Sequence, residues 1–317
     1  MRETRERPGG ESSRRMGQQK RRAARREVLL AYVFMAPALL LALPFKIIPL
    51  GMGVINSFET LNGFGGGTQF AGIANYKEIL QDPAGVAAFK NALMILSTLP
   101  IWVLVPLILA VLIYERTAGW RIYRALYFLP YTIAPIIVGI MFRQILDPSG
   151  PLDSLLRTVA LKSVALPWLQ NAHTALWSLD GIAFWSFFGL GVLVYLGGLS
   201  ALSTEVMEAA VLDGAGYWAR LRRVVIPLIR PVIGYWTVLC ASGMFVWLFP
   251  LIYSLTQGGP GFATMLPEYL TYQTIFTFLE RGYGTAIGIA LFCFVAVISG
   301  FTVRYMYVQG GRKEGHG

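Results

Sequence analysis

Residues 205–227 read EVMEAAVLDGAGYWARLRRVVIP, and they lie between two long apolar stretches. Thr204 is expected to cap a first short helix, with Glu205 and Glu208 in its first turn opposing the helix dipole. Small residues, Ala209 and Ala210, would let a partner surface approach closely. Asp213-Gly214 should end that helix, with Gly214 in the left-handed conformation, and Gly216 should permit a second sharp change of direction. A second helix, Tyr217 to Val225, puts Trp218 and Leu221 on one side and spreads Arg220, Arg222 and Arg223 around it. Pro227 and Pro231 are expected to stop it and redirect the chain. The product is an L-shaped pair of short helices at a membrane surface. Composition leaves two readings open, a docking element for another protein and an amphipathic hairpin held by lipid headgroups. A DNA-binding helix-turn-helix does not fit, because both ends run into membrane-length apolar segments within a few residues.

Working outward from this loop, the rest of the chain is too apolar for water. Its 317 residues are 55% hydrophobic and 14% charged, against about 25% charged in a soluble domain. The net charge of +10 is uneven: ten of the 27 Lys and Arg fall in residues 1–27. That leader lacks the interleaved aromatics of a nucleic-acid stacking surface and reads as a disordered basic cytoplasmic segment, with no nucleic-acid partner. The two cysteines, Cys240 and Cys293, lie inside apolar runs, which does not suit a disulfide framework. With His173 and His316 as the only histidines, a histidine-based metal site is not expected.

Six stretches are long and apolar enough to span a bilayer as helices: 28–55, 91–114, 125–146, 181–200, 232–255 and 284–306. The basic residues orient them. With the N-terminus in the cytoplasm, the inner side holds the leader, Arg116, Arg121, Arg124, Arg220, Arg222, Arg223, Arg230, Arg304, Arg312 and Lys313. The outer side holds only Lys77, Lys90, Arg157, Lys162 and Arg281. Six spans put both termini and the 205–227 loop inside a plasma (inner) membrane of bacterial type. Basic residues before an apolar run also fit a secretory signal, but no small-residue cleavage site follows, and five further spans argue against export. The expected organisation is a leader (1–27), a six-helix membrane domain (28–307) and a cytoplasmic tail (308–317), all-α throughout. The outer segments are small. Residues 56–90 carry a glycine-rich tip (Gly63, Gly65, Gly66, Gly67) and an amphipathic helix from Tyr76 to Leu80. Residues 147–180 open on the turn Asp147-Pro148-Ser149-Gly150-Pro151, and residues 256–282 on Thr256-Gln257-Gly258-Gly259-Pro260-Gly261.

Glu208-Ala209-Ala210, Asp213-Gly214-Ala215 and Ile226-Pro227 together resemble the EAA loop of permease subunits of binding-protein-dependent ABC importers. Phe70-Ala71-Gly72 with Asn75-Tyr76 is similar to the F-x-G-x-x-N-Y pattern of the carbohydrate branch of that family. Arg124-Ala125 with Phe128-Leu129-Pro130-Tyr131 resembles the start of its third span. Leu255-Thr256-Gln257-Gly258-Gly259-Pro260-Gly261 resembles its L-T-x-G-G-P turn, with Tyr272 and Phe276 following. The matches cover roughly residues 28–307 and are closest to the F-type half of maltose and glycerol-phosphate permeases. Two departures stand out. Phe249-Pro250 replaces the phenylalanine-acid pair frequent late in the fifth span, and the large outer domain of the enteric maltose permease has no counterpart.

The resemblance implies a division of labour. The loop would lie in a cleft of a separate ATPase subunit, and Glu208, Ala209, Ala210, Asp213, Gly214 and Gly216, supported by Arg222 and Arg223, would couple its closure to the membrane helices. The chain has no G-x-x-x-x-G-K-[ST] phosphate loop, so ATP and Mg would be bound by two partner ATPase subunits. No cofactor and no catalytic residue are expected in the chain itself. A second permease and an extracytoplasmic solute-binding protein would complete the assembly, with a carbohydrate as substrate and lipid around it. Hydrogen bonds and flat aromatic faces hold sugars, which makes Trp185, Tyr195, Ser242 and Trp247 candidate pathway residues. Lys46 and Arg143 lie near the outer surface, where snorkelling accounts for them.

Two other classes compete. An ion-coupled secondary carrier of small polar solutes would bury carboxylates at mid-membrane, and no acidic residue falls centrally in the six expected spans. A membrane-embedded enzyme would need a cluster of catalytic polar groups at one depth, which two distant histidines do not supply.

Overall fold

The computed structural model describes residues 30–60, 67–114, 119–159 and 166–304. The expected leader 1–27, the tail 308–317 and the tip glycines Gly63, Gly65 and Gly66 lie outside the described residues. The chain divides into two units, 1–55 and 56–317. The first carries nearly all of α1 (Leu30–Asn56), 27 residues of high hydropathy. Pro44 falls in a π turn, Leu43–Ile47, where the Ile48 N–H reaches back to the Leu43 carbonyl.

The second unit begins with a two-residue antiparallel ribbon, β1 (Glu59–Thr60) with β2 (Gln69–Phe70). It continues as α2 (Ala74–Gln81), α3 (Pro83–Tyr114), α4 (Ile122–Thr132), α5 (Pro135–Ile145), α6 (Pro151–Thr158) and α7 (Ala172–Ser200). After these come α8 (Thr204–Leu212), α9 (Tyr217–Leu228), α10 (Arg230–Gly243), α11 (Phe249–Leu255), α12 (Pro267–Tyr272) and α13 (Arg281–Val303). Four of the described helices are long and apolar enough to cross a membrane, or up to six if each bent pair counts as one span.

Two of the expected spans start earlier than their apolar runs. α3 begins at Pro83 because Asp82 caps it, accepting from the Ala84 and Gly85 N–H groups with proline at the first position. α7 begins at Ala172, where Asn171 accepts from the His173 N–H. Two other spans are broken. The third turns by 95° between α4 and α5, through Pro130 and Pro135. The expected fifth span, 232–255, comes as α10 and α11 separated by the irregular residues 244–248.

The core forms where α3, α7 and α10 meet. Pro106 inside α3 has no N–H, so the carbonyl four residues earlier, that of Trp102, loses its helical partner. In an apolar interior that orphan is costly. The indole N–H of Trp236, fully buried on α10, donates to it at 3.0 Å. The Tyr195 hydroxyl on α7 donates to the next carbonyl, Val103, at 3.3 Å. Close approach needs small residues: a Cβ on Gly191 would stand 2.6 Å from the Trp236 ring, and one on Gly189 only 1.8 Å from the Tyr127 carbonyl oxygen.

Trp236→Phe is expected to lower stability by ~1–2 kcal/mol, the cost of leaving a buried carbonyl unpaired. Pro106→Ala restores the helix's own donor, so the loss from Trp236→Phe should shrink in that background, as read by thermal unfolding in detergent.

Candidate functional site

The loop at 204–228 is a closed elbow. α8 ends in a Schellman motif: the Ala215 N–H reaches the Ala210 carbonyl and the Gly214 N–H reaches the Val211 carbonyl, both at 3.0 Å. Gly214 sits at φ +75°, the left-handed conformation that closes such a cap and that glycine adopts without penalty. Ala210 is buried against the turn, while Glu208, Ala209 and Asp213 face outward. Leu212 and Trp218 are 88% and 75% exposed, an unusual position for large apolar groups beside the charges of Arg222 and Arg223, which are also exposed.

Three details depart from the sequence reading. α8 is capped by Ser203, which makes no side-chain bond, and Thr204 is its first residue. Gly216 has φ −63° and an added Cβ would meet nothing, so neither backbone nor space demands glycine there. Pro227 does not stop α9. A π turn, Leu221–Val225, closed by the Ile226 N–H on the Leu221 carbonyl, carries the helix through it, and the 67° bend to α10 falls at Ile229 and Arg230. Val225 is buried, and Leu221 and Met207 border a small cavity of about 30 Å³ with Tyr114 of α3 and Leu199 of α7.

A cleft of about 590 Å³ opens between the two breaks. Tyr131 to Pro135 line it from the third span, Val246, Trp247 and Pro250 from the fifth, and Ser186, Phe187 and Leu190 from α7. Phe187 stacks on Trp247, centroids 5.3 Å apart and rings 22° from parallel, and meets Tyr131 edge-on at 5.9 Å. The result is an aromatic wall beside backbone that has left its helix.

The four candidate pathway residues do not come together. Trp247 lines this cleft. Trp185 lines a second one, of about 470 Å³, together with Trp168 and Trp177. Tyr195 is wholly buried, donating to Val103. Ser242 sits between helices, within 3.0 Å of the Ser299 hydroxyl. The aromatic wall residues Tyr131 and Phe187 are not among the expected pathway residues: Tyr131 enters only as the end of the Phe128–Tyr131 motif and Phe187 not at all, although the P-Y-T-I-A-P run at 130–135 signals the break that exposes Tyr131.

Acidic groups also differ from expectation. Because α7 starts early, Asp180 lies within it, roughly 12 Å along the axis from Ala172. It is buried, and it accepts from the Trp102 indole at 3.2 Å. The helix that carries the fourth span therefore holds a carboxylate in its first third, short of its centre. Glu268, between the expected fifth and sixth spans, has both oxygens buried with no hydrogen-bond partner among the described residues, and burial pushes its carboxyl up to about 8. Asp147 does behave as a turn residue: the Ser149 hydroxyl and N–H both donate to it, holding its carboxyl below the usual range.

At the end of the bundle opposite the elbow, the quoted motifs act as clamps. Asn75 is buried and donates to the Ser57 and Glu59 carbonyls at 2.9 and 3.1 Å, and the Tyr76 hydroxyl pairs with that of Ser57 at 2.7 Å. Asn91 of α3 donates to the Phe262 and Met265 carbonyls, both at 2.9 Å. The turn itself is held by Thr264, whose hydroxyl reaches Thr256 and the Gly259 carbonyl, both at 2.8 Å. Among the described residues no three His, Cys, Asp or Glu side chains come together as a metal site would need.

Broken helices around a cleft, with a helical elbow at one end, define a helical membrane permease. Residues 86–306 match the family of the binding-protein-dependent transport system inner membrane component, and the chain belongs to that family. It is 30% identical over 287 residues to the probable ABC transporter permease protein YesP of Bacillus subtilis, spanning 88% of this chain and 91% of YesP. It is 33% identical over 275 residues to the arabinooligosaccharides transport system permease protein AraP of the same organism, spanning 84% and 85%. Its fold is similar to one in the crystal structure of a bacterial alginate ABC transporter in complex with alginate pentasaccharide-bound periplasmic protein. There the TM-score is 0.78 at 21% identity, over 91% of this chain and 97% of the other.

Gly214→Ala should open the cap by ~1–2 kcal/mol, the left-handed penalty of an L-residue, and speed amide exchange at Gly214 and Ala215 roughly 5- to 30-fold. Gly216→Ala should leave exchange at both amides unchanged.

Proposed function

We propose that this chain is a membrane-spanning subunit of an ATP-driven importer, with the elbow in the cytoplasm as the surface on which a partner ATPase acts. The observation that carries this reading is the continuity of the elbow with the cleft. The Schellman turn that caps α8 leads through Gly216 into α9, α9 bends directly into α10, and α10 ends at Gly243, just before residues 244–248, two of which wall the cleft. A push on exposed Leu212 and Trp218 has a stiff path to the substrate space. Movement of α10 against α3 and α7 would re-aim Val246 and Trp247, which is alternating access by rocking of packed helices.

The other partners follow from the same reading. One elbow per chain suits one ATPase, and ATP sites formed between two ATPase copies call for a second permease. An extracytoplasmic binding protein would deliver the solute to the face opposite the elbow. The aromatic wall of Tyr131, Phe187 and Trp247 suits the apolar faces of a sugar ring, and the likeness to AraP supports an oligosaccharide cargo. Glu208, Ala209, Ala210, Asp213, Gly214, Arg222 and Arg223 are the proposed coupling residues. Gly216 stays in that set only as part of the docking surface, since its backbone needs no glycine.

A secondary carrier is the second reading, and Asp180 favours it. Its carboxylate oxygen is held by the Trp102 indole, however, and it lines neither cleft.

The test is reconstitution of the chain with its ATPases, partner permease and binding protein in proteoliposomes, with arabinotriose, maltotriose and sn-glycerol 3-phosphate as a solute panel. Uptake should require ATP and survive both ionophores and Asp180→Asn. Gly214→Pro should insert normally yet hydrolyse ATP without uptake. Uptake that persists without the ATPase, or normal uptake by Gly214→Pro, would contradict the coupling role.

A further inference from the structure

The second cleft, of about 470 Å³, is not accounted for by the breaks in the spans. It lies between the C-terminal half of α5, α6 and the first half of α7, at the end of the bundle away from the elbow. Its walls are Phe142, Trp168, Trp177 and Trp185, with Thr174 and Ser178 below them. The Trp168 indole is fixed by the buried carboxylate of Asp153 at 3.4 Å, which Arg157 pairs at 3.6 Å. Thr174 and Ser178 donate to the Trp168 carbonyl at 3.0 and 3.3 Å, so the segment bearing Trp168 is held to α7 by its backbone and to α6 by its ring. The indole N–H groups of Trp177 and Trp185 make no hydrogen bond among the described residues, which leaves two donors in a cleft of flat aromatic faces. Trp185 is only half-buried, edge-on to Phe142 at 5.2 Å.

α7 runs past both this cleft and the central one. Thr174, Ser178 and Ile182 line the second cleft, and Ser186 and Leu190 line the first. They follow each other at four-residue spacing over about 24 Å of helix, each step turning about 40° around the axis, so the linings of the two clefts come within one turn of each other at Ile182 and Ser186. α5 contributes similarly, with Pro135 at the central cleft and Phe142 and Leu146 at the second.

Resting on the proposed carbohydrate import, we propose that the second cleft is an outer carbohydrate subsite, which engages one sugar unit of an oligosaccharide while another occupies the central cleft. Ring faces stack on Trp177 and Trp185, whose N–H groups donate to sugar hydroxyls. The closeness of the two linings, one turn apart on α7 at Ile182 and Ser186 and two turns apart on α5 at Pro135 and Phe142, favours this occupant over an acyl chain, as do indole donors that hydrocarbon cannot use. A cargo too short to bridge the two clefts gains nothing from it.

The test uses the complete transporter in proteoliposomes with L-arabinose, arabinobiose, arabinotriose and arabinotetraose, and a parallel malto-series from glucose to maltotetraose. For the transported series, Trp177→Ala and the double variant with Trp185→Ala should raise KM about tenfold or more for the tri- and tetrasaccharide. The effect on the shortest transported member should be less than twofold, with ATPase activity retained. Trp177→Phe, which keeps a flat face, should recover part of the loss for the longer sugars. Equal KM changes at every length, no change at any length, or a variant effect that follows the vesicle's acyl chains instead of sugar length would overturn the outer subsite while leaving import intact. Failure of the unsubstituted transporter to take up any sugar would overturn both.

Discussion

A backbone amide or carbonyl in hydrocarbon has no water to turn to, so a membrane chain must satisfy each one within itself or border a cavity. That constraint orders this structure. At Pro106 the freed Trp102 carbonyl is repaired by the Trp236 indole, and the repair fixes how α3 and α10 meet. Gly191 keeps α7 close to the same ring. At 133–134 and 244–248 no helix continues, and there the chain borders a cleft. The same chemistry thus gives a tight three-helix seam where a donor was found and an open space where the helices end.

The elbow obeys a related logic at the end of the bundle. A helix end exposes carbonyls, and α8 satisfies two of them through the turn at Gly214. The turn fixes how the chain leaves α8 towards α9, with Leu212 and Trp218 exposed on the outside. In the proposed importer that rigidity transmits force: a flexible loop would absorb the motion of a partner ATPase, whereas a capped elbow continuous with α9 and α10 passes it to the cleft. The clamps made by Asn75 and Asn91 stiffen the far end of the same bundle.

Much of this was legible in the amino-acid order. The apolar runs gave the helices, and D-G-A after E-A-A gave the left-handed cap, because only chemistry local to the chain decides them. The starts of α3 and α7 were missed where capping by Asp82 and Asn171 extends a helix past its apolar stretch, and that is why Asp180 falls inside α7 instead of in a connecting segment. The break at 130–135 is signalled by prolines, but the one at 244–248 has no proline before Pro250 and is packed through Phe245 against Phe294 of α13 and through Trp247 against Phe187 of α7. Which aromatics face a cleft was beyond one-dimensional reading. Trp185, Tyr195, Ser242 and Trp247 have similar sequence surroundings, and only the rotation of each helix separates core, seam and cleft. Gly216 shows the converse, a glycine in a motif whose geometry any residue could adopt.

The most direct measurement is thiol accessibility in the assembled transporter, in membranes, on a background with Cys240 and Cys293 replaced by alanine. Single cysteines at Ile133 and Val246 sample the two breaks, and cysteines at Leu104 and Ile108 sample the exposed apolar face of α3. A charged, membrane-impermeant thiol reagent should label the first pair, at rates that change with ATP, and leave the second pair unlabelled. Labelling of neither break, or of all four positions alike, would contradict a structure in which helix breaks exist to line a watery path.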